Sequence, residues 1–199
     1  YQMPPTLYDL SIKKPSLILA RVIEIEERIS PEGEVLLAMD EDEVRRQLLE
    51  LKGEGSIESL AVCLLNAYSQ TTHEIAVEEI ARQVGFDEVS RSSHVAPLIK
   101  LVSRGDTTTV DAYLNPVLRM YVASLRQALD DASELRIMTS AGGLVDAESF
   151  VGKDSVLSGP AGGVVGFAAA AEGAGFNKAI GFDMGGTSTD VSRWDGRFQ

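Results

Sequence analysis

The chain has 199 residues, of which 44% are hydrophobic, and 30 Asp and Glu against 18 Lys and Arg give a formal net charge of −12. This length can bury one good core or two small ones, and an acidic balance spread along the chain argues against nucleic-acid binding. No apolar run approaches the roughly 20 residues of a membrane span, so we expect a cytoplasmic protein that does not bind membranes.

The first elements predicted along the chain are two strands and a helix. Residues 22–28 and 35–37 flank a turn sequence that ends at Gly33, which is typical of a strand, a turn and a second strand. Asp40 is the predicted N-cap of a helix that continues through Leu51 with an apolar face. A buried strand is predicted next, at residues 57–65.

The middle of the chain continues the alternation of helix and strand. Residues 73–84 have helical spacing and Gly85 closes that helix, while residues 88–92 predict a short strand. A longer helix is predicted to start at Asp106 or Thr107 and to end near residue 129. Pro116 is expected to kink or break it, because proline removes a backbone donor and clashes with the preceding turn.

One more strand, at residues 135–138, precedes the predicted boundary between two domains. Alternating strands and helices favour an α/β fold with a mostly parallel sheet in the first portion. The glycine-containing segment 140–143 marks the boundary, so the predicted domains are residues 1–139 and 140–199. The second domain begins with a glycine-rich helix and a hairpin.

The glycine-rich segment Leu157-Ser-Gly-Pro-Ala-Gly-Gly163 predicts the start of a helix. Ser158 is the expected N-cap, and Pro160 suits the first turn, where its missing N–H has no partner to lose. The residues expected to let an anion approach this helix start are Ser158, Gly159, Gly162 and Gly163. Close packing of the glycines against a neighbouring strand is an equally good explanation of this segment alone.

The segment Gly181-Phe-Asp-Met-Gly-Gly-Thr-Ser-Thr-Asp190 joins an apolar strand to a glycine turn, three hydroxyls and two carboxylates. Such a turn can hold phosphate through N–H and hydroxyl donors. The candidate phosphate-binding residues are Gly185, Gly186, Thr187, Ser188 and Thr189. Asp183 and Asp190 are the candidate Mg²⁺ ligands, and Asp183 is the candidate catalytic residue, orienting metal or water.

A plain hairpin is the alternative for this segment, but it leaves Asp183 as a carboxylate at the end of an apolar strand without a partner. The chain then continues as a strand at residues 191–194, a turn at Asp195 and Gly196, and a strand at residues 197–199. A Walker loop is absent. The hairpin instead resembles the Asp-x-Gly-Gly-Thr phosphate hairpins of the sugar kinase, Hsp70 and actin superfamily.

Together, the two glycine motifs resemble those of the hydantoinase/oxoprolinase family, in the branch that opens 5-oxoproline. Supporting similarity lies at residues 27–33, 66–74 and 106–116. Two positions depart from the family pattern: Asp111 stands where asparagine is expected, and Ala141 where Asn or Asp is commoner. These departures leave the phosphate motifs intact and bear on which substrate is used.

The resemblance implies an actin/Hsp70/sugar-kinase-like fold (ribonuclease H-like) and an enzyme that uses ATP and Mg²⁺ to open a cyclic amide by phosphorylating the amide oxygen. It also implies a small cyclic amide as substrate, and the rest of a parent chain or a hydantoinase B-type subunit as partner. The alternatives are an ATP-dependent ketone carboxylase subunit and a nonenzymatic nucleotide-binding module.

The resemblance further implies that family members carry another phosphate hairpin before the matched region and an adenosine-binding part after it. We therefore expect the chain to be an incomplete piece of a larger enzyme, truncated at its C-terminus and inactive alone. His94 follows a predicted strand, and a substrate-binding role for it is a further hypothesis.

Overall fold

The structure is a computed structural model that describes residues 17–130, 132–186 and 188–197. The chain forms two compact units that divide between Pro116 and Val117, inside a long helix. Within the described residues, none of the helices combines the length and the apolarity needed to cross a membrane.

The first unit contains four short strands and three complete helices. These elements, in chain order, are β1 (Arg28–Ile29), β2 (Val35–Leu37), α1 (Glu41–Gly53), β3 (Ser59–Val62), α2 (Thr72–Val84), β4 (Glu88–Arg91) and α3 (Ser92–Val95). β1 and β2 pair antiparallel, whereas β3 and β4 pair parallel, with α2 as the connection between them. The helix α4 (Leu101–Ala128) begins in this unit.

The ends of α1 and α2 confirm two capping predictions. The Asp40 carboxylate accepts the N–H groups of Asp42 and Glu43, at 3.0 and 3.1 Å, and so satisfies donors that have no partner within the helix. Gly85 ends α2 with a φ of 104°, in the left-handed region that glycine adopts without a steric penalty.

The core of the first unit lies where α1 and α2 pack around the β3–β4 pair. Its fully buried side chains are Val44, Leu48, Leu51, Val62, Val77, Ile80, Ala81 and Phe86. The α1 members, at positions 44, 48 and 51, repeat at helical spacing, so one face of that helix is apolar. Burial of this face holds α1 against the β3 and α2 residues of the same core.

The long helix differs from its prediction at both its start and its middle. It begins at Leu101 and not at Asp106 or Thr107, and it continues through Pro116 to Ala128. Thr107 and Thr108 do not cap it, because their hydroxyls donate to the carbonyls of Ser103 and Arg104, four residues earlier, at 2.9 and 2.7 Å. The helix is therefore not broken at Pro116, although the two compact units divide directly after this residue.

The strand predictions were too long, and the predicted sheet was too large. The predicted strand 22–28 is reduced to Arg28–Ile29, and the predicted strand 57–65 to Ser59–Val62. Among the described residues, each sheet has two strands, and of the first unit's two sheets only the β3–β4 pair is parallel. An apolar run indicates burial, but a strand also needs a hydrogen-bonded neighbour, which sequence periodicity does not supply.

The second unit contains two hairpins and a helix rich in small residues. Its elements after α4 are β5 (Arg136–Met138), β6 (Leu144–Asp146), a 3₁₀ turn (Ala147–Ser149), α5 (Gly152–Ser155), α6 (Ser158–Gly173), β7 (Ala179–Met184) and β8 (Thr189–Trp194). Both strand pairs are antiparallel. The predicted strand 197–199 falls mostly on residues outside those described.

Candidate functional site

The β7–β8 hairpin sets two carboxylates side by side. Asp183 pairs directly with Asp190, and Phe182 with Val191. Directly paired residues of an antiparallel ladder point to the same face, and successive residues alternate between faces. One face therefore carries Gly181, Asp183, Asp190 and Ser192, and the other carries exposed apolar side chains such as Phe182 and Val191.

The turn of this hairpin is the predicted glycine turn. The N–H of Gly185 donates to the carbonyl of Ser188 at 2.9 Å and closes the turn. Gly186, Ser188 and Thr189 are exposed there, so their backbone and hydroxyl groups are open to a ligand. Thr187, the remaining candidate in this turn, lies outside the described residues.

Helix α6 packs on the carboxylate face of the hairpin. A Cβ added to Gly181 would lie 2.5 Å from the Phe167 ring, and a Cβ added to Gly163 would lie 3.3 Å from the Asp183 Oδ2 atom. Phe167 and Gly163 are four residues apart on α6, while Gly181 and Asp183 are two apart on β7. Four helical residues rise about 6 Å and two strand residues about 6.6 Å, so the residues on this face of α6 keep in step with those on this face of β7.

This match directs the start of α6 toward the turn of the hairpin. Phe167 lies on Gly181, and Gly163, four residues earlier on the helix, lies on Asp183, two residues later on the strand. The same spacing continued once more leads to Gly159 on the helix and to Gly185 at the hairpin turn. A Cβ added to Gly159 would meet no atom within 4 Å. The start of α6 and the hairpin turn are both exposed, and we call the open space beside them the cleft.

The N-terminal end of α6 corrects one prediction and confirms another. Ser158 is not the N-cap: it is the first helical residue, and its hydroxyl donates to the carbonyl of Ser155 at 2.9 Å. Leu157 takes the cap position, and its N–H donates to the Ser140 hydroxyl at 2.9 Å. Pro160 lies in the first turn, as predicted.

Small residues let α6 lie close to its neighbours on a second side as well. A Cβ added to Gly162 would lie 3.5 Å from the Met138 Cγ atom of β5, and one added to Gly142 would lie 3.4 Å from Val165. The structure thus supports the close-packing explanation for Gly162 and Gly163, while Gly159 is exposed and an anion site there stays a prediction.

The donor set beside the cleft suits a metal that arrives with phosphate. Asp183 and Asp190 are both exposed and supply carboxylate oxygens, the ligand type that Mg²⁺ prefers. Like charges directly opposite each other in a sheet destabilise it unless a cation lies nearby. Among the residues that the structure describes, no three His, Cys, Asp or Glu side chains are grouped to hold a metal by themselves.

Sequence analysis missed a buried polar network in the first unit. Glu74, Ser92 and Arg104 are fully buried. The Ser92 hydroxyl donates to Glu74 at 2.5 Å and accepts from Arg104 Nε at 2.8 Å. Arg104 also donates to the Leu65 carbonyl at 2.9 Å and to that of Leu64. Glu74 and Arg104 are joined through Ser92 and lie 30 residues apart in the chain, so the network gives no local sequence pattern.

The two histidines of the chain, His73 and His94, lie in this same unit. His73 is paired with the Glu27 carboxylate, Nδ1 to Oε2, at 2.7 Å, with both side chains largely buried. His94 is exposed in the short helix α3. Arg104, in contrast to His94, is fully buried beside α3, where it donates to backbone carbonyls.

Comparison with known proteins agrees with the two motifs. The sequence profile described as Hydantoinase/oxoprolinase matches residues 104–199, and the one described as Hydantoinase/oxoprolinase N-terminal region matches residues 1–85. 5-Oxoprolinase 1 of Arabidopsis thaliana is 40% identical over the whole of this chain, which covers 17% of that relative. The gamma subunit of acetophenone carboxylase from Aromatoleum aromaticum is 30% identical over 90% of this chain, which covers 26% of that subunit.

A solved structure shows the same fold. The ATP-dependent caprolactamase of Pseudomonas jessenii matches 85% of this chain with a TM-score of 0.74 and 26% identity, and the match covers 25% of that protein. This likeness confirms the predicted α/β fold of the actin-like ATPase type. Since two profiles of one family match most of its length and the two glycine motifs lie in the matched region, the chain belongs to the hydantoinase/oxoprolinase family.

Proposed function

We propose that this chain is the phosphate-holding part of an ATP-dependent enzyme that opens a cyclic amide, 5-oxoproline or hydantoin. The observation that carries the proposal is the placement of Asp183 and Asp190 on the hairpin face toward α6, beside a cleft lined by Gly159 and Gly185. The similarity to a 5-oxoprolinase over the whole chain and to an ATP-dependent caprolactamase supports it.

The cleft is suited to phosphate because it is lined by backbone donors. The first N–H groups of α6 lack partners within the helix and carry the positive end of its dipole. The glycines leave no side chain between this backbone and a ligand, and the Ser188 and Thr189 hydroxyls, with Thr187, are further donors from the turn. Ser158 and Gly159 on one side and Gly185 and Gly186 on the other thus form the proposed phosphate site, and Gly162 and Gly163 belong to it by letting α6 approach Met138 and Asp183 closely.

The carboxylates are the proposed ligands of Mg²⁺ and the means of orienting water. When bound with ATP, Mg²⁺ neutralises charge that develops on the transferred phosphate. Asp190 of β8 and Asp183 of β7 would hold that ion, and the position of Asp183 over Gly163 also brings it near α6. Asp183 is the proposed catalytic residue, because its carboxylate lies against α6 at Gly163.

The chemistry needs ATP because an amide carbonyl is a poor electrophile. The amide oxygen attacks the γ-phosphorus and ADP departs, so that the carbon carries a phosphorylated oxygen. Water then adds to this carbon, the ring C–N bond breaks with proton transfer to nitrogen, and a second water releases phosphate from the acyl phosphate. The protein's contribution is to position the phosphates, the metal and the water.

A ketone carboxylase subunit is the second candidate, because the chain is 30% identical to the acetophenone carboxylase gamma subunit. The chain spans less than a fifth of the length of the 5-oxoprolinase that it matches. We therefore propose that the substrate site is completed by other parts of a longer protein or by a hydantoinase B-type subunit. A cytoplasmic location also belongs to this proposal.

The test is phosphate release by the full-length protein with ATP and Mg²⁺, in parallel reactions with 5-oxoproline, hydantoin, and a ketone with bicarbonate. Phosphate release that accompanies glutamate formation from 5-oxoproline supports the proposal. Release only with the ketone and bicarbonate would replace it by the carboxylase function. Nucleotide binding without turnover of any of the three would favour a nonenzymatic nucleotide-binding module.

A further inference from the structure

Among the glycines of the described residues, Gly181 of β7 leaves the least room for a side chain, and the nearest atoms belong to Phe167 of α6. A Cβ at position 181 would lie 2.5 and 2.6 Å from the ring atoms Cδ1 and Cε1 of Phe167, and 2.8 Å from the Ser192 hydroxyl oxygen. The ring therefore lies directly on the strand backbone. Glycine within a strand commonly marks such a close approach.

This contact lies on the same face of α6 and of β7 as the residues that border the cleft. Phe167 precedes Gly163 and Gly159 on one face of α6 when the helix is followed back to its start, and Gly181 precedes Asp183 and Gly185 on β7. An α-helix is rigid over four turns, so a change of separation at Phe167 also moves its start. At the cleft, Gly159 has no side chain that could hold α6 and the hairpin apart.

We propose that Phe167 and Gly181 are positioning residues: their contact sets the separation of α6 from the hairpin, and with it the width of the phosphate-binding cleft. This inference rests on the proposed function of that cleft. Neither residue touches the ligand, because both lie behind Asp183, away from the hairpin turn. They act through the placement of Gly159, Gly163 and Asp183.

Substitution of Gly181 by alanine should therefore act at a distance. The added methyl is confined by Phe167 on one side and by Ser192 across the ladder. The Ser192 hydroxyl can rotate away, whereas the phenyl ring is a rigid plate attached to the helix. We therefore expect the helix to move outward, where its neighbours on the other side are also near: a Cβ added to Gly162 would lie 3.5 Å from Met138, and one added to Gly142 would lie 3.4 Å from Val165.

The experiment is a double-mutant cycle in the full-length protein, read by Mg·ATP affinity and by the thermal unfolding midpoint. We expect Gly181→Ala to weaken Mg·ATP binding about tenfold or more. In the double variant with Phe167→Ala, the methyl gains the space of the ring, so affinity should return to within about threefold of Phe167→Ala alone. Recovery of this kind is the sign of coupled neighbours.

The matched control is Gly166→Ala, the same change at the position next to Phe167 on the same helix. A Cβ there would meet no atom within 4 Å, so affinity should equal that of the wild type. Wild-type affinity in Gly181→Ala, or additive losses in the double variant, would overturn the proposal. A merely structural role would lower the midpoint of Gly181→Ala but would give no recovery of affinity in the double variant.

The cycle also separates this inference from the function on which it rests. If the wild-type protein binds no nucleotide, the proposed function fails. The contact between Phe167 and Gly181 is then tested by the unfolding midpoints alone. A lower midpoint in Gly181→Ala that Phe167→Ala restores supports the contact. Decreases in midpoint that simply add in the double variant overturn it.

Discussion

Asp183 and Asp190 lie directly opposite each other in the β7–β8 ladder, and Asp183 also contacts α6 at Gly163. A hairpin designed only for stability would not place two carboxylates in this position, because like charges across a ladder repel. The arrangement becomes favourable when a cation lies between the carboxylates and the phosphates of a ligand. This is the relationship on which the proposed function depends.

The first prediction concerns Asp190→Asn in the full-length protein. We expect the Mg²⁺ concentration for half-maximal phosphate release to rise about tenfold or more, because one charged ligand is lost. Without Mg²⁺ and nucleotide, the same variant should unfold at an equal or slightly higher temperature than the wild type, because a like-charge pair has been removed. Phosphate release across a Mg²⁺ titration, with thermal unfolding, measures both effects.

The control for this prediction is Asp146→Asn. Asp146 is an exposed carboxylate at the end of β6 and forms a 3.8 Å ion pair with Arg136. It should leave the Mg²⁺ requirement unchanged. An unaltered Mg²⁺ titration in Asp190→Asn would show that this residue is not a metal ligand.

The second prediction concerns the buried arginine of the first unit. The planar guanidinium group of Arg104 donates from all three of its nitrogens. Nε donates to the Ser92 hydroxyl, Nη1 to the Leu98 carbonyl, and Nη2 to the carbonyls of Leu64 and Leu65. Lysine has a single nitrogen and cannot reach all four, so Arg104→Lys leaves buried acceptors without donors. We expect a loss of about 3 kcal/mol in the free energy of unfolding, measured by urea denaturation.

The exposed Arg46 is the matched control for this change. It pairs with Glu43 and Glu50 on the surface of α1, where exchange of one cation for another has little effect on stability. Arg46→Lys should therefore unfold with the wild-type midpoint. Equal midpoints for the two variants would show that the network around Arg104 does not stabilise the fold.

The third prediction concerns the pH dependence of stability. Burial raises the pKa of the Glu78 carboxyl, but hydrogen bonds and charge from Arg82 and Arg91 outweigh burial, and the pKa lies below its ordinary value. A group with a lowered folded-state pKa stabilises the protein above its unfolded pKa, about 4.3 for Glu. That stability is lost as the pH falls through the folded-state pKa.

Glu78→Gln should therefore unfold more easily than the wild type at pH 7, and the difference should shrink below about pH 4. Thermal unfolding across this range measures it. Glu43→Gln is the comparison: the hydrogen bond from Arg46 lowers the pKa of Glu43, but that pair lies at the surface of α1 and should be screened by salt. A difference between Glu78→Gln and the wild type that is the same at pH 3 and pH 7 would contradict the assignment.

Local signals in the sequence predicted local structure well. Asp40 and Gly85 fixed helix ends because a cap acts within one turn of chain, and the hairpin followed from its glycine turn between two apolar strands. Pro116 shows the limit of such signals, because the helix continues through it. The neighbouring Asp111 and Asn115 share a buried network with Ser90, and this tertiary contact offsets the local cost of proline.

The candidate site was predicted as a set of residues but not as an arrangement. The motifs identified Asp183, Asp190 and the glycines, since each has a local pattern. The register that places Gly163 on Asp183 and Phe167 on Gly181 depends on how α6 packs on β7, and no spacing rule supplies it. Ser158 was misassigned for a similar reason, because its hydroxyl binds Ser155 in the preceding short helix.

The most direct test of the account measures phosphate and ring-opened product in the same reaction, with the full-length protein, ATP, Mg²⁺ and 5-oxoproline. We expect the two products in equal amounts, no ring opening without ATP, and a loss of both by about a hundredfold or more in Asp183→Asn, because removal of one electrostatic group of a transition state costs that much. Asp146→Asn should match the wild type. Ring opening at the wild-type rate by a folded Asp183→Asn variant, or without ATP, would contradict the account.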